Sequence, residues 1–134
     1  MDGDNPKKIK SFTDLHVWKE GHLLVLDIYR LTKKFPKEEQ FSLTNQLQRA
    51  AISFTSNIAE GFNRSSWKEK SQFYSISFGS LSEIQNQLLI AKDLGYIPNS
   101  TFQSIAKRTV DISKMTNALI QKTKAYAIHK KPNV

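Results

Sequence analysis

Apolar residues in this chain recur at alternating steps of four and three, and that rhythm continues through four successive segments. A 3.6-residue period places such positions on one face of a helix, so it constrains the fold more than any local motif. The first segment, about Asp14 to Lys34, aligns Val17, Gly21, Leu24, Ile28, Leu31 and Phe35. It ends at Phe35-Pro36, because a residue before proline is pushed out of the α region. The second, about Ser42 to Asn63, aligns Leu43, Leu47, Ala50, Phe54, Ile58 and Gly61. The third starts at Ser66-Trp67-Lys68-Glu69, which has the form of a capping box, and carries Phe73, Ser77, Ser80, Ile84, Leu88 and Ala91 to a stop at Gly95. The fourth opens after Pro98 with a second capping-box pattern, Ser100 to Gln103, and carries Phe102, Ile105, Thr109, Ile112, Thr116, Leu119 and Thr123. Ala51 to Phe54 is the nearest approach to a strand, and the helical period on both sides argues against it.

Short connections between these segments favour antiparallel neighbours. The predicted fold is all-α, an antiparallel up-down-up-down four-helix bundle over residues 13–126. A flexible basic N-terminus (1–12) and a flexible basic tail (127–134) are expected to flank it. Its 134 residues suit one domain, and 39% hydrophobic with 24% charged residues is too apolar for a disordered chain. No apolar run reaches bilayer length, and the N-terminus has no h-region of a signal peptide. Cysteine is absent, which excludes disulfides, thiolate metal sites and thiol chemistry and suits a cytoplasmic location.

The seam of the bundle is rich in small and polar residues. Ser77, Gly79 and Ser80 on the third segment and Ala50, Ala51, Ser53 and Gly61 on the second permit close helix approach, within one chain or between subunits. Trp18, Tyr29, Phe62, Phe78 and Tyr126 do not all fit one core stripe. Either the stripe is wide or a second face is buried in an oligomer.

The net charge of +8 is concentrated in one place. Residues 99–134 hold Lys107, Arg108, Lys114, Lys122, Lys124, Lys130 and Lys131 against Asp111 alone. Two readings fit: a solvated face with a solubilising tail, or a surface that neutralises nucleic-acid phosphates. The candidate nucleic-acid-binding residues are Lys107, Arg108, Lys114, Lys122 and Lys124. Trp67 and Tyr126 are candidates for stacking on single strands, and packing explains each of them as well.

Catalytic and metal constellations are missing. His16 and His22 lie six residues apart, about 120° from a common face, and no Glu-x-x-His pair, phosphate loop or nucleophile elbow appears. Glu38-Glu39 falls in a lysine-rich connection. No enzyme activity, cofactor or metal is expected. A polar constellation on the second segment, Gln46, Arg49, Ser53, Ser56, Asn57 and Glu60, flanks the apolar stripe, with Glu83 on the third segment a candidate mate for Arg49. Arg49, Asn57, Glu60 and Glu83 read as a network that sets helix register or as a ligand site.

These residues also carry a resemblance. Phe12 to Trp18, Leu31-Thr32, Phe35-Pro36, Gln46 to Ala50, Ser56 to Gly61, Gly79 to Glu83 and Leu94 to Ile97 stand in order. The pattern resembles the bacterial four-helix-bundle family encoded in intervening sequences of 23S rRNA genes, the S23 ribosomal protein-like family. It spans about residues 12–124 and is most specific from Arg49 to Gly61. The resemblance implies a small cytoplasmic antiparallel bundle that assembles as a homopentamer. A relative, the accessory variability determinant of diversity-generating retroelements, associates with a reverse transcriptase and with nucleic acid. The expected partners are therefore further copies of the chain, RNA or DNA, and a protein such as a nucleic-acid enzyme, with no membrane.

Overall fold

The computed structural model describes residues 9–130. They form α1 (His16–Thr32), α2 (Leu43–Phe62), α3 (Trp67–Asp93) and α4 (Asn99–Lys130), with 3-10 turns at Phe12–Asp14 and Lys37–Glu39. No strand occurs among the described residues. Each helix packs on its neighbour in sequence, and α1 closes the ring against α4.

Contacts between neighbours run in opposite chain directions. On the α2–α3 seam, Ser53 Oγ lies 2.8 Å from Ser80 Oγ, Ser77 Oγ donates to the Phe54 carbonyl at 2.7 Å, and Lys70 donates to the Phe62 carbonyl. Residue numbers on α3 fall as those on α2 rise. The α3–α4 seam does the same, with Gln85 Nε2 donating to Thr109 Oγ1 at 3.2 Å and the Lys92 ammonium over the Phe102 ring. Gln48 bonds Thr32 across α1 and α2 at 3.1 Å, and Arg108 of α4 pairs with Asp27 of α1.

The core follows the stripes read from the sequence with local shifts: Thr32, Tyr74 and Ile120 are buried where the period predicts Leu31, Phe73 and Leu119, and Leu81 joins them. Leu24, Ile28, Leu47, Phe54, Ile58, Leu81, Ile84, Leu88 and Ile112 are buried almost completely. Polar members of the stripes satisfy themselves on nearby backbone. Thr109, Thr116 and Thr123, one per heptad of α4, each donate at 2.7 Å to a carbonyl three or four residues earlier. Two glycines mark close approaches. A Cβ on Gly21 would lie 2.3 Å from a Phe54 ring carbon, and one on Gly61 would lie 2.7 Å from the Tyr74 ring. Trp18, Phe62 and Phe78 pack partly buried against the core, whereas Tyr29 and Tyr126 stay exposed. The stripe is therefore wide enough for three of the five surplus aromatics.

Helix ends follow local chemistry, with two shifts. Ser66 Oγ accepts from the Glu69 amide at 3.0 Å, and the Glu69 carboxylate returns to the Ser66 hydroxyl at 3.3 Å. After α3, Gly95 takes φ 83°, and the amides of Gly95 and Tyr96 bond the carbonyls of Lys92 and Ala91, a Schellman closure. Helix α4 begins at Asn99, so Ser100 lies inside the first turn instead of capping it, because Phe102 N already bonds the Pro98 carbonyl at 2.9 Å. It continues to Lys130, past the boundary drawn at 126. Near the start, Ile9 packs on the core and Ser11 forms a capping box with Asp14, so contact with the bundle begins before residue 13. Residues 1–8 and 131–134 lie outside the described residues. Among the described residues, no helix is long and apolar enough to cross a membrane.

Candidate nucleic-acid interface

The buried threonines of α4 fix where its cations point. With about 100° per residue, a side chain two positions before a core threonine points directly away from the core. Lys107 and Lys114 occupy those positions before Thr109 and Thr116, and both are exposed. Arg108 and Lys122, one position before Thr109 and Thr123, lie on the flank facing α1, as the Arg108–Asp27 pair shows. Lys124, one position after Thr123, lies on the other flank. The five candidates thus occupy three faces of one helix. Lys107 pairs with Asp111 one turn on at 3.2 Å, an exposed contact of small energetic weight.

Between α1 and the start of α4 is a groove of about 490 Å³, lined by Asp27, Arg30, Lys34, Ser100, Thr101, Ser104 and Arg108 among others. Asp27 accepts from Arg108 and, through its other oxygen, from Arg30 at 2.9 Å. Partial burial pushes the Asp27 carboxyl up, but the bonds from Arg108 and Arg30 outweigh it and hold the group below the ordinary aspartate value. Two guanidiniums thus share one carboxylate, and Lys34 adds a third cation. The groove keeps a positive surplus beside three hydroxyls that can donate to an anion. Sequence reasoning missed Asp27, Arg30 and Lys34. They sit in a stretch whose charges nearly balance along the chain, and nothing local shows that Asp27 meets Arg108.

On the opposite side, α2 and α3 enclose a polar cleft of about 280 Å³ lined by Gln46, Arg49, Ala50, Ser53, Glu83 and Gln87. Arg49 and Glu83 share this cleft but are not paired with each other. The ion pairs within 4.0 Å among the described residues join other partners, and both side chains are exposed enough to stay hydrated. Asn57 Nδ2 donates to the Ser53 carbonyl at 2.8 Å and to Ser53 Oγ, which meets Ser80. Glu60 lies apart and pairs with Arg64 at 2.8 Å. Gln87 is 8% exposed, and its Oε1 has no hydrogen-bond partner.

Among the described residues, no group of three or more His, Asp or Glu could hold a metal ion. His22 stacks on Trp18 at 4.8 Å, with the rings 13° from parallel.

The sequence pattern of the 23S rRNA-intervening sequence protein family matches residues 13–118. Among solved structures, the chain is similar to a protein of unknown function from the S23 ribosomal protein family of Bacteroides thetaiotaomicron VPI-5482. The two are 21% identical over 78% of this chain and 97% of that one, with a TM-score of 0.73, a likeness of fold. No curated protein matches.

Proposed function

The chain belongs to the 23S rRNA-intervening sequence protein family, and we propose that it is a non-enzymatic, cytoplasmic, homo-oligomeric protein that binds the backbone of RNA or DNA. The observation that carries this reading is the α1–α4 groove, where Arg30 and Arg108 share Asp27 and Lys34 has no carboxylate of its own. Lys107, Lys114 and Lys122 extend the positive field along α4, and several copies in a ring, a pentamer by the resemblance, would join these surfaces into a basic rim. Binding through phosphates is weakly selective for sequence and strongly dependent on salt. The test is titration of labelled single-stranded RNA, duplex RNA and duplex DNA at low and near-physiological salt. Tight binding at low salt that weakens steeply supports the reading; no binding at low salt refutes it.

A second reading, an interaction scaffold or accessory subunit for a nucleic-acid enzyme such as a reverse transcriptase, is favoured by the α2–α3 cleft. There, Arg49 and Glu83 remain available to a partner, the Gln87 acceptor is unmet, and exposed Ile76 and Ile90 lie on the same helix as Glu83 and Gln87. Capture of the same protein partner before and after nuclease treatment supports this reading over the first.

A further inference from the structure

We propose that the pocket between the first turn of α3 and the last turns of α4 seats one unstacked base of a single-stranded nucleic acid, with Lys122 beside the adjoining phosphate. The inference rests on the nucleic-acid reading and adds a place where a base, as opposed to a phosphate, is recognised.

The pocket holds about 260 Å³, lined mainly by Phe62, Trp67, Lys70, Tyr74, Leu119 and Tyr126 together with Lys122. That is just below the roughly 300 Å³ at which pockets for larger ligands begin, a size that suits a single ring system. The Trp67 and Tyr126 rings stack with centroids 4.7 Å apart and 29° from parallel, and both remain more than a third exposed. The part of the Trp67 indole that remains exposed and lines the pocket is a surface on which a base can stack.

Charge selects the kind of ring. Among the lining residues there is no carboxylate, while Lys70 and Lys122 are both present. Lys70 is anchored: its ammonium donates to the terminal carbonyls of α2 at Gly61 and Phe62 and lies 5.3 Å from the Phe62 ring centroid and 5.7 Å from that of Trp67. Lys122 is exposed, and its long side chain can reach a phosphate beside the pocket. An aromatic slab beside cations without counter-carboxylates fits a nucleotide, and stacking of this kind tolerates any base.

The location agrees with the groove. Lys122 lies on the same flank of α4 as Arg108, fourteen residues along, which is about 21 Å of helix. One short strand on the α1–α4 seam can place phosphates near Arg30, Lys34 and Arg108 and a base against Trp67. A duplex cannot enter the pocket without unstacking a base, so single strands gain from it and duplexes do not.

The test compares an RNA octamer, an octamer of the same backbone with abasic residues, and duplex RNA, read by anisotropy. The native protein should bind the base-bearing strand more tightly than the abasic one. Trp67→Ala should weaken the base-bearing strand roughly five- to a hundredfold and leave the abasic strand and duplex unchanged, while Trp67→Phe should retain most of the affinity. In a Trp18→Phe background, the base-bearing strand alone should quench Trp67 fluorescence. Equal affinity of the native protein for base-bearing and abasic strands overturns the pocket without needing any variant, and salt-sensitive abasic binding then leaves the electrostatic reading intact. No binding of any strand at low salt overturns both.

Discussion

Arg108 near the start of α4 donates to the carboxylate of Asp27 on α1, 81 positions earlier in the chain, and so ties the first helix to the last. The same carboxylate also accepts from Arg30. One acidic side chain therefore bridges the first and last helices, while the cations around it leave the groove with a positive surplus.

Replacing that carboxylate should have opposite effects on stability and binding. Asp27→Asn removes the only negative charge lining the groove, so affinity for RNA should rise by roughly two- to fivefold, the scale of one exposed charge interaction. Stability should fall by at most about 1 kcal/mol, because the Asp27 and Arg108 side chains are 39% and 32% exposed and solvent screens the pair. The folded-state pKa of Asp27 is lowered. Its contribution is therefore present above the ordinary aspartate value of 3.8 and lost as pH falls through the lowered one. Melts of the native protein and Asp27→Asn should converge in that acidic window.

Two glycines should respond in opposite ways to alanine. Gly21→Ala puts a methyl against Phe54, which is buried and cannot move aside, and should cost about 1–3 kcal/mol in a thermal melt. Gly79 lies inside α3 with open space around its added Cβ. Gly79→Ala should stabilise the isolated chain by about 0.5–1 kcal/mol through helix propensity.

The three faces of α4 predict unequal roles for its cations. A combined Lys107→Gln, Lys114→Gln and Lys122→Gln variant should lose most RNA affinity at low salt with helicity unchanged by circular dichroism. Lys124→Gln alone, on the other flank, should have the smallest effect of the five single substitutions. Equal losses at every position would indicate a diffuse positive field without a defined surface.

The α2–α3 cleft has its own test. The unmet Gln87 acceptor costs stability in an isolated chain, so Gln87→Met should raise the melting temperature, by the equivalent of up to about 1–3 kcal/mol. If copies assemble through this cleft, light scattering should give the native protein a mass several times 15.4 kDa and Gln87→Met a lower one.

The helices were legible because burial on one face imposes a period that every turn repeats. Val17 to Ile28 and Leu43 to Gly61 reach the core as that period requires. Capping was legible at Ser66, where the partners are three residues apart, and was read two residues late at the start of α4, where Pro98 supplies the first acceptor. Contacts across helices were not legible. Asp27 with Arg108, and Arg49 beside Glu83 without pairing, depend on rotations of whole helices that the spacing within one helix does not encode. The charge total on α4 was correct, but its direction was visible only once Thr109, Thr116 and Thr123 were located in the core.

The most direct test is the affinity of the native protein for a single-stranded RNA across a salt series. Phosphate contact predicts that log affinity falls linearly with log salt, with a slope of about −0.7 for each phosphate neutralised, so three or four groove and α4 contacts give a slope near −2 to −3. A flat salt dependence, or no binding at low salt, would contradict the account and leave the positive charge of α4 without a nucleic-acid role.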